Sequence, residues 1–418
     1  MNLRRWIPAA TSLSGALVLA IVPAQTRLAE AQTYTVVHNF TGGSDGAYPL
    51  AGVTIDPGGN FYGTTSAGGD KGWGTVYRLV HSGPSWRCYP LYNFAGEDDQ
   101  SSDGGAPYAG VVIGTDGALY GTTHSGGDGQ GCKAWYGCGT VFRVKPGKTV
   151  APWEEALLFR FGTEDGSNPD HGEVVFDQAG NLYGTTRNGG AYLQGTVYEL
   201  IPEGVGWTEK VLYSFAGPPD GSAPLSGPVF DQAGNLYGTT SGGGANGLGT
   251  VYQLKPSASG WTENVLHSFQ NESDGLSPTA GVIFDQSGNL YGATQAGGTG
   301  GGGTVFELIL SSSGDWSLNS LYGFLGPANG GPYASVVMDT AGNLYGTTSG
   351  DGADQWGSVF RLTQSNGMWT STSLHDFTGG ADGGAPYGRL VFGLNGNLYG
   401  TASLGGTYGD GVIFEVTP

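Results

Sequence analysis

One ten-residue motif recurs seven times along this chain and constrains its fold more than any other feature. The cleanest copy, residues 231–240, reads Asp-Gln-Ala-Gly-Asn-Leu-Tyr-Gly-Thr-Thr. The tyrosines of its central Tyr-Gly pair are Tyr62, Tyr120, Tyr183, Tyr237, Tyr291, Tyr345 and Tyr399, at spacings of 58, 63, 54, 54, 54 and 54 residues. A fixed period of this size is typical of a repeat architecture, so we expect one repeated domain rather than two or three unrelated ones.

Each repeat reads as four short strands, which we name a to d. In the fourth repeat the predicted strands cover residues 228–231, 236–240 and 250–254, and a fourth strand ends at residues 265–269. Asp231 and the Gly234-Asn235 pair are typical of a tight hairpin between strands a and b. Seven four-stranded units predict an all-β fold, a seven-bladed β-propeller.

The two ends of the chain predict how the ring closes. Residues 34–40 match strand d, yet they precede the first strand a. The last repeat ends at a strand c, residues 412–416, without a strand d of its own. The N-terminal strand should therefore complete the seventh blade and remove an exposed sheet edge. A linear solenoid would have no use for such a split repeat.

The first 31 residues differ from the rest. Arg4 and Arg5 precede a short apolar run, residues 9–24, and small residues offer cleavage after Ala24 or Ala31. This pattern predicts a signal peptide over residues 1–31, followed by a single propeller domain over residues 32–418 that is secreted or periplasmic. No later apolar run is long enough to cross a bilayer, so we expect no membrane insertion after cleavage.

Charge and cysteines narrow the partners further. The formal charge is −19, and loss of residues 1–31 leaves 13 Lys and Arg against 34 Asp and Glu, or −21. Such a surface disfavours nucleic acid and anionic membranes as partners, although solubility alone also explains it. We expect a monomer. Cys132 and Cys138 flank one loop and predict a disulfide in an exported protein, whereas Cys88 is expected to be a buried free thiol.

The repeat units themselves resemble a known family. Asn-Leu-Tyr-Gly-Thr-Thr, Gly-Thr-Val-Tyr and Leu-Tyr-Ser-Phe, with Asp-Gly-x-x-Pro between them, look like the repeats of the choice-of-anchor tandem-repeat GloVer family of exported bacterial proteins. The resemblance covers about residues 34–418 and implies a secreted or surface protein with no known chemistry. The a–b hairpin is also similar to NHL and gluconolactonase-type propellers, at the level of fold alone.

Acidic residues recur in the loops that join strand d to the next strand a. They are Asp45, Asp103, Asp165, Asp220, Asp274 and Asp382, and the neutral Asn329 takes this place in the sixth repeat. A ring of carboxylates near the axis could bind calcium or sugar hydroxyls. The simpler interpretation, which we favour, is that each Asp caps its own turn. We expect no cofactor, with calcium as the one ion to consider, and no dedicated metal site.

Two departures from the repeat place charged residues where strand a begins, a position that is Gly in most repeats. In the third repeat, Asp170, His171 and Glu173 could form an acid–base or metal cluster at the channel mouth. Arg389 holds the Glu173 position in the seventh repeat. Blades 3 and 7 lie on roughly opposite sides of the ring, so Glu173 and Arg389 should face each other across the channel. The simplest interpretation is an ion pair that plugs the channel.

Aromatic residues in the b–c loops form a third departure from the repeat. They are Trp73, Trp135, Tyr136, Tyr192, Trp356 and Tyr408. Exposed rings could stack on the apolar faces of sugars, or they could fold back between Gly-rich loops. The second-blade loop, residues 124–139, is seven residues longer than usual and includes His124, Asp128 and Lys133, so it is the best candidate for a binding loop.

These features favour a binding module for an extracellular carbohydrate or another surface polymer. The predicted ligand-binding residues are Trp73, His124, Trp135, Tyr136, Tyr192, Trp356 and Arg389. The alternatives are a propeller enzyme, a lactonase or a glycan hydrolase or lyase that uses Asp170, His171 and Glu173, and a protein-interaction scaffold. No nucleophile elbow, zinc-protease motif, P-loop or dinucleotide fingerprint is present, which favours a non-enzyme.

Overall fold

The computed structural model describes residues 32–83, 85–96, 103–127, 132, 137–147, 153–204, 206–258, 260–270 and 273–418. The predicted signal peptide lies outside these residues. The part from Gln32 to Pro418 packs as one compact unit. Within the described ranges, no helix is long and apolar enough to cross a membrane.

Seven four-stranded antiparallel sheets form the blades, which confirms the predicted seven-bladed propeller. The a strands are Thr54–Ile55, Val112–Ile113, Val175–Phe176, Val229–Phe230, Ile283–Phe284, Val337–Met338 and Val391–Phe392. The b strands are Phe61–Thr65, Leu119–Thr123, Leu182–Thr186, Leu236–Thr240, Leu290–Thr294, Leu344–Thr348 and Leu398–Ala402. The c strands are Thr75–Ser82, Thr140–Lys145, Thr196–Glu203, Thr250–Ser257, Thr304–Leu310, Ser358–Ser365 and Val412–Val416. The d strands of blades 1 to 6 are Ser85–Asn93, Glu154–Arg160, Gly206–Ser214, Gly260–Ser268, Trp316–Gly323 and Met368–Asp376.

The N-terminal strand closes the ring as predicted. Tyr34–Asn39 is strand d of blade 7 and pairs antiparallel with Val412–Val416, with Tyr34 opposite Val416. The first and last strands of the domain therefore share one sheet. This pairing satisfies the backbone groups that strand c of blade 7 would otherwise expose at its edge.

The strands differ in length from the sequence prediction in a consistent way. In blade 4, strand a covers only Val229–Phe230, while strand c extends to Ser257. A β-bulge between Val251 and Tyr252 lets the long outer pair twist, and the other blades have a bulge at the same place. Inner strands are short because seven of them must converge on the axis, whereas the outer strands have room.

The hairpin aspartates are turn caps, as the sequence predicted. Asp231 Oδ1 accepts hydrogen bonds from the backbone N–H groups of Ala233 and Asn235, at 2.8 and 2.9 Å. Its Oδ2 accepts from the Asn235 amide at 2.7 Å and the Tyr237 hydroxyl at 3.0 Å. The recurrent Asp, Asn and Tyr of the motif are thus one network, and Asp56, Asp177 and Asp339 repeat it.

The Gly of each Tyr-Gly pair makes room for an aromatic ring of strand c. All five residues of strand b in blade 4 are buried, so both faces of the strand are covered. A Cβ at Gly238 would lie 2.5 Å from the hydroxyl of Tyr252, which is itself fully buried. The ring covers the glycine and fills the space between blades, which explains why the motif keeps Gly at a strand position where Gly is otherwise unfavourable.

Threonine hydroxyls link neighbouring blades near the axis. Thr64 Oγ1 donates to the carbonyl of Ala109 in the next blade at 2.8 Å. Equivalent bonds are made by Thr185, Thr239, Thr347 and Thr401. Thr122, their counterpart in blade 2, is buried and finds no hydrogen-bond partner among the described residues. This hydrogen bond is therefore missing between blades 2 and 3, where the candidate site lies.

Three glutamates share one position of strand d in blades 2, 3 and 4. They are Glu155, Glu209 and Glu263, and in each case Oε1 is buried without a hydrogen-bond partner in the described structure. Burial, assisted by the negative charge of Asp165, raises the pKa of Glu209 to about 8. Burial likewise raises the pKa values of Glu155 and Glu263 to about 7. These carboxyls are therefore partly protonated at neutral pH.

We expect stability to fall as the pH rises from about 5 to about 8, and Glu209→Gln to remove part of this loss. The folded-state pKa of Glu209 lies above its ordinary value of 4.5, so the folded chain binds the extra proton and loses that advantage as the proton leaves. The expected difference is on the order of 1 kcal/mol, because the carboxyl is partly solvated. Urea unfolding of both proteins at the two pH values measures it. The exposed Glu154→Gln serves as the control, and equal pH slopes for Glu209→Gln and the parent would contradict the prediction.

Candidate functional site

A ring of side chains surrounds one mouth of the central channel. Each lies six residues before the hairpin cap position of its blade. They are Leu50, Tyr108, His171, Leu225, Thr279, Tyr333 and Tyr387. All except Leu225 line a cavity of about 240 Å³ that runs down the channel. Concave, largely apolar sites with a few polar groups are where small ligands usually bind.

The predicted ion pair crosses the channel below this ring. Arg389 Nε lies 3.1 Å from both carboxylate oxygens of Glu173, and Nη2 donates to Oε2 at 2.9 Å. The Glu173 carboxylate raises the pKa of the Arg389 guanidinium despite its burial. A Cβ at Gly110 would approach Glu173 Oε1 to 2.7 Å, so the pair packs against blade 2. The cavity stays open toward Ser226 and Ser335, and the channel is narrowed rather than fully plugged.

Blade 3 departs from its neighbours by one inserted residue. Eight positions separate Pro169 from Asp177, whereas seven separate Pro224 from Asp231 in blade 4. The insertion places Asp170 and His171 where the other blades have a single residue. It also coincides with the unpartnered Thr122 hydroxyl, and a buried polar group left unpaired costs about 1–3 kcal/mol. A departure from the repeat that lowers the stability of the fold locally is typical of a functional position.

Asp170 is the centre of a polar cluster at the mouth. Its side chain is only 3% exposed, yet its oxygens face three nitrogen-bearing side chains. Oδ2 lies 3.3 Å from Arg187 Nη1, and Oδ1 lies 3.4 Å from His171 Nε2. Oδ1 also lies 4.0 Å from His124 Nδ1, a buried atom with no hydrogen bond in the described structure. The blade 3 insertion thus meets residues from the b–c loops of blades 2 and 3.

Both histidines of the cluster are neutral near pH 7. Burial lowers the pKa of His124 and of His171, and it outweighs the opposing effect of the Asp170 charge. The ring of Tyr108 stacks on His124 with centroids 4.6 Å apart and on His171 at 5.5 Å. The edge of His171 meets Tyr333 at 4.8 Å. These contacts hold the imidazoles in place beside the carboxylate.

The structure brings together some of the predicted site residues and separates others. Asp170 joins His171 and His124, but Glu173 is bonded to Arg389 and not to this cluster. The sequence prediction of one Asp170, His171 and Glu173 group is therefore wrong in its third member. Strand geometry explains this, because Glu173 lies deeper along the channel than the loop that carries Asp170.

The predicted loop aromatics fall into two groups. Trp73 is half-buried and packs beneath the next loop, where a Cβ at Gly105 would lie 2.8 Å from the indole. Trp356 packs on Gly384 in the same way but keeps 42% of its surface exposed. Tyr192 and Tyr408 are 60% and 61% exposed. Whether these rings contact a sugar stays a prediction.

Part of the long second-blade loop lies outside the described residues. This applies to the predicted binding residues Trp135 and Tyr136, and to Asp128 and Lys133. Cys132 and Cys138 are joined by the predicted disulfide. Cys88 is a free thiol, but it is partly exposed rather than buried as predicted, because strand d forms the outer edge of its blade.

The loop aspartates serve their own turns. Asp274 Oδ1 accepts from the Gln270 N–H at 3.0 Å, and Oδ2 lies 2.7 Å from His267 Nε2. His38 and His375 approach Asp45 and Asp382 in the same way, both at 3.1 Å. In the described part of the chain, no group of three or more His, Cys, Asp or Glu residues is placed to hold a metal ion. The carboxylates thus have the geometry of turn caps.

Sequence reasoning missed four residues of the mouth. Arg187, Tyr108, Tyr333 and Tyr387 were not selected, although a position-by-position comparison of the repeats would have found them. Arg187 and His124 both follow the Thr of strand b, a position that is Ser in Ser66, Ser241, Ser349 and Ser403. Two adjacent blades therefore replace a small hydroxyl with a base and a cation at equivalent positions.

The fold and its repeats place this chain among the seven-bladed β-propellers. At one mouth of its channel, residues of blades 2 and 3 depart from the repeat. The chain belongs to the Gloeobacter/Verrucomicrobia repeat family, whose sequence profile matches residues 26–204, 131–318 and 311–418. This confirms the resemblance seen in the sequence. No curated protein matches the chain.

Solved structures share the general architecture at low identity. A protein described as a putative oxidoreductase (glucose dehydrogenase) from Thermus thermophilus is 16% identical, with a TM-score of 0.44, over 74% of this chain and 96% of that one. A polysaccharide lyase, an ulvan lyase, is 11% identical, with a TM-score of 0.47, over 88% and 92%. A puromycin-hydrolysing peptidase of Mycobacterium tuberculosis is 12% identical, with a TM-score of 0.40, over 82% and 56%. Likeness at this level carries no information about function.

Proposed function

We propose that this protein is an exported binding module for carbohydrate, with its binding site at the channel mouth. The observation that carries the proposal is the ring of Tyr108, Tyr333 and Tyr387 around a cavity of about 240 Å³. Aromatic faces suit the apolar faces of sugars, while Thr279 and Ser335 add hydroxyls to the cavity lining. The disulfide between Cys132 and Cys138 is consistent with an oxidising compartment.

The charges at the mouth favour a neutral sugar polymer. Arg187 is balanced by Asp170, and Arg389 is balanced by Glu173. His124 adds no charge near pH 7, because burial lowers its pKa. The remainder of the chain is strongly acidic, at −19 overall, and repels polyanions at long range. A neutral polysaccharide therefore has the least electrostatic cost of approach.

Glycoside hydrolysis has less support at this mouth. It usually requires two carboxyl groups that flank the scissile bond, one as acid and one as base or nucleophile. Among the described residues of the mouth, the carboxyls of Asp170 and Glu173 are already engaged by Arg187 and Arg389 respectively. A retained but uncleaved polymer is therefore the expected outcome with neutral glycans.

We expect Tyr387→Ala and Tyr333→Ala each to weaken retention on a neutral polysaccharide by about ten-fold, which corresponds to about 1.4 kcal/mol of lost stacking. Retention on immobilised neutral and acidic polymers, with and without a chelator, is the measurement. Tyr89→Ala is the matched control, since Tyr89 is 46% exposed on an outer strand d away from the loops.

Each result of these retention assays tests a different part of the proposal. Full retention by both variants would remove the aromatic mouth from the site. Preference for acidic polymers would contradict the charge argument, and loss on chelation would point to calcium. If no polymer is retained, a protein-interaction scaffold becomes the better explanation, and recovery of a protein partner by affinity capture tests it.

A further inference from the structure

We propose that the mouth is also a hydrolytic site, in which His124 and Asp170 promote the attack of water on a lactone or O-acyl ester of a sugar. This inference rests on the proposed function, because the same aromatic mouth would hold the sugar. It goes further by naming a reaction and the atoms that perform it. The Asp170 carboxylate, at the centre of the mouth, is buried and caps no turn of the repeat.

Asp170 and His124 have the geometry of an acid–base dyad before a substrate binds. The Asp170 side chain is almost wholly buried, and Oδ1 lies 4.0 Å from His124 Nδ1. That nitrogen is buried and makes no hydrogen bond in the described structure. Catalytic hydrogen bonds are often long before a substrate binds, so this gap is one that a bound sugar could close. An Nδ1–H directed at the carboxylate leaves Nε2 with a free lone pair.

His124, rather than His171, has the nitrogen available for substrate. The side chain of His124 is 24% exposed although Nδ1 is buried, so the exposure falls on the rest of the side chain, where the ring carries Nε2. The imidazole of His171 already has two partners. Its Nε2 lies 3.4 Å from Asp170 Oδ1, and the ring makes a hydrogen bond to the backbone of Tyr108. We therefore assign His124 as the base and Asp170 and His171 as positioning residues.

Arg187 is placed to stabilise the charge that develops on a carbonyl oxygen. Its side chain is 50% exposed at the mouth, and the described structure gives it one side-chain hydrogen bond, from Nη1 to Asp170. A guanidinium has five N–H donors, so others remain for a ligand. Donors aimed at a developing oxyanion supply much of the rate enhancement of acyl transfer.

The proposed step uses water and no other co-reactant. His124 Nε2 accepts a proton from water as the water oxygen bonds to the acyl carbon. The carbonyl oxygen becomes an oxyanion held by Arg187. The bond from the acyl carbon to the ring or ester oxygen then breaks, and the imidazolium returns its proton to that oxygen. The products are a carboxylic acid and a hydroxyl, on one molecule for a lactone and on two for an ester.

Hydrolysis of gluconolactone, followed by acid release, and of acetylated cellobiose, followed by acetate release, tests the inference in parallel assays with and without a chelator. We expect release above the buffer blank and a fall of about 100-fold or more in kcat/KM for His124→Asn. His375→Asn is the matched control, because His375 also faces an aspartate, Asp382 at 3.1 Å, but within a turn. It should keep the parent rate.

The pH profile separates the positioning role of Asp170 from a purely structural one. The groups that face His124 are Asp170, His171, Arg187 and the ring of Tyr108. The Asp170 charge raises the pKa of His124, whereas Arg187 and His171 lower it. Asp170→Asn should therefore move the rising limb of the rate profile to lower pH as well as reduce the rate. An unmoved limb would overturn the dyad.

The remaining outcomes distinguish this inference from the binding proposal. Glycan retention without release above the blank overturns the hydrolytic site and leaves the binding module intact. Release that His124→Asn and His124→Gln both retain overturns the assignment of the base. Release that the chelator abolishes overturns a metal-free step. Release that depends on His124 without any glycan retention supports the inference and contradicts the binding module.

Discussion

Replacing Arg389 with Met is expected to lower the free energy of unfolding by about 2 kcal/mol. The change leaves the Glu173 carboxylate, 20% exposed, without its partner across the channel. Breaking a fully buried pair costs about 3–5 kcal/mol, and the partial exposure of both side chains, 34% for Arg389 and 20% for Glu173, reduces that figure here. Urea unfolding of the parent and the variant measures the effect.

A double substitution shows whether the lost stability comes from the unpaired charge. Glu173→Gln with Arg389→Met removes both charges and should recover most of the loss, because polar or apolar groups of similar size replace the pair. The two single variants and the double variant together form a cycle that isolates the coupling between the side chains. If Arg389→Met unfolds like the parent, the pair does not stabilise the ring.

Gly227→Ala is expected to destabilise the ring by about 3 kcal/mol, at the upper end of the range for overpacking. A Cβ at Gly227 would overlap the backbone carbonyl oxygen of Glu173 in the preceding blade, and backbone cannot move aside as a flexible side chain can. The two inner strands would have to separate. Thermal and urea unfolding provide the measurement.

Gly281→Ala is the matched control from the same position of blade 5. Its Cβ would meet Ser335 Oγ at 3.1 Å and Ser226 Cβ at 3.4 Å, contacts that small side-chain shifts relieve. Four of the seven repeats have glycine at this position, namely Gly52, Gly110, Gly227 and Gly281. In the structure the overlaps with backbone occur at Gly52, against the Arg389 carbonyl, and at Gly227, against the Glu173 carbonyl, so they lie beside the two members of the ion pair. Equal stability losses at Gly227 and Gly281 would contradict this distinction.

Most of the fold could be predicted because the strands and turns of each repeat depend on residues within that repeat. Asp231, Asn235 and Tyr237 close one hairpin within seven residues, and local hydrogen bonds of this kind follow directly from sequence spacing. Ring closure followed from strand d at one end and strand c at the other. The Glu173–Arg389 pair could also be predicted, since seven-fold symmetry places equivalent residues of blades 3 and 7 around one axis.

The candidate site was predicted only in part. Asp170 and His171 were predicted to share one cluster and His124 to belong to the long binding loop, but the approach of His124 to Asp170 was not predicted, and Arg187 was missed. Glu173 was grouped with them because it is near in sequence. The single inserted residue in blade 3 was decisive, since it changes where a short loop points, and repeat spacing does not encode that direction.

The sequence by itself determined the number of blades, their strands, the turn caps and the closure of the ring, because all of these depend on contacts within one repeat or on its period. Only the tertiary structure decided which residues of different loops meet at the mouth. Asp170 contacts Arg187 and approaches His124 because radial packing brings the loops of blades 2 and 3 to one mouth. That meeting depends on the distances between blades, which the order of residues along the chain does not contain.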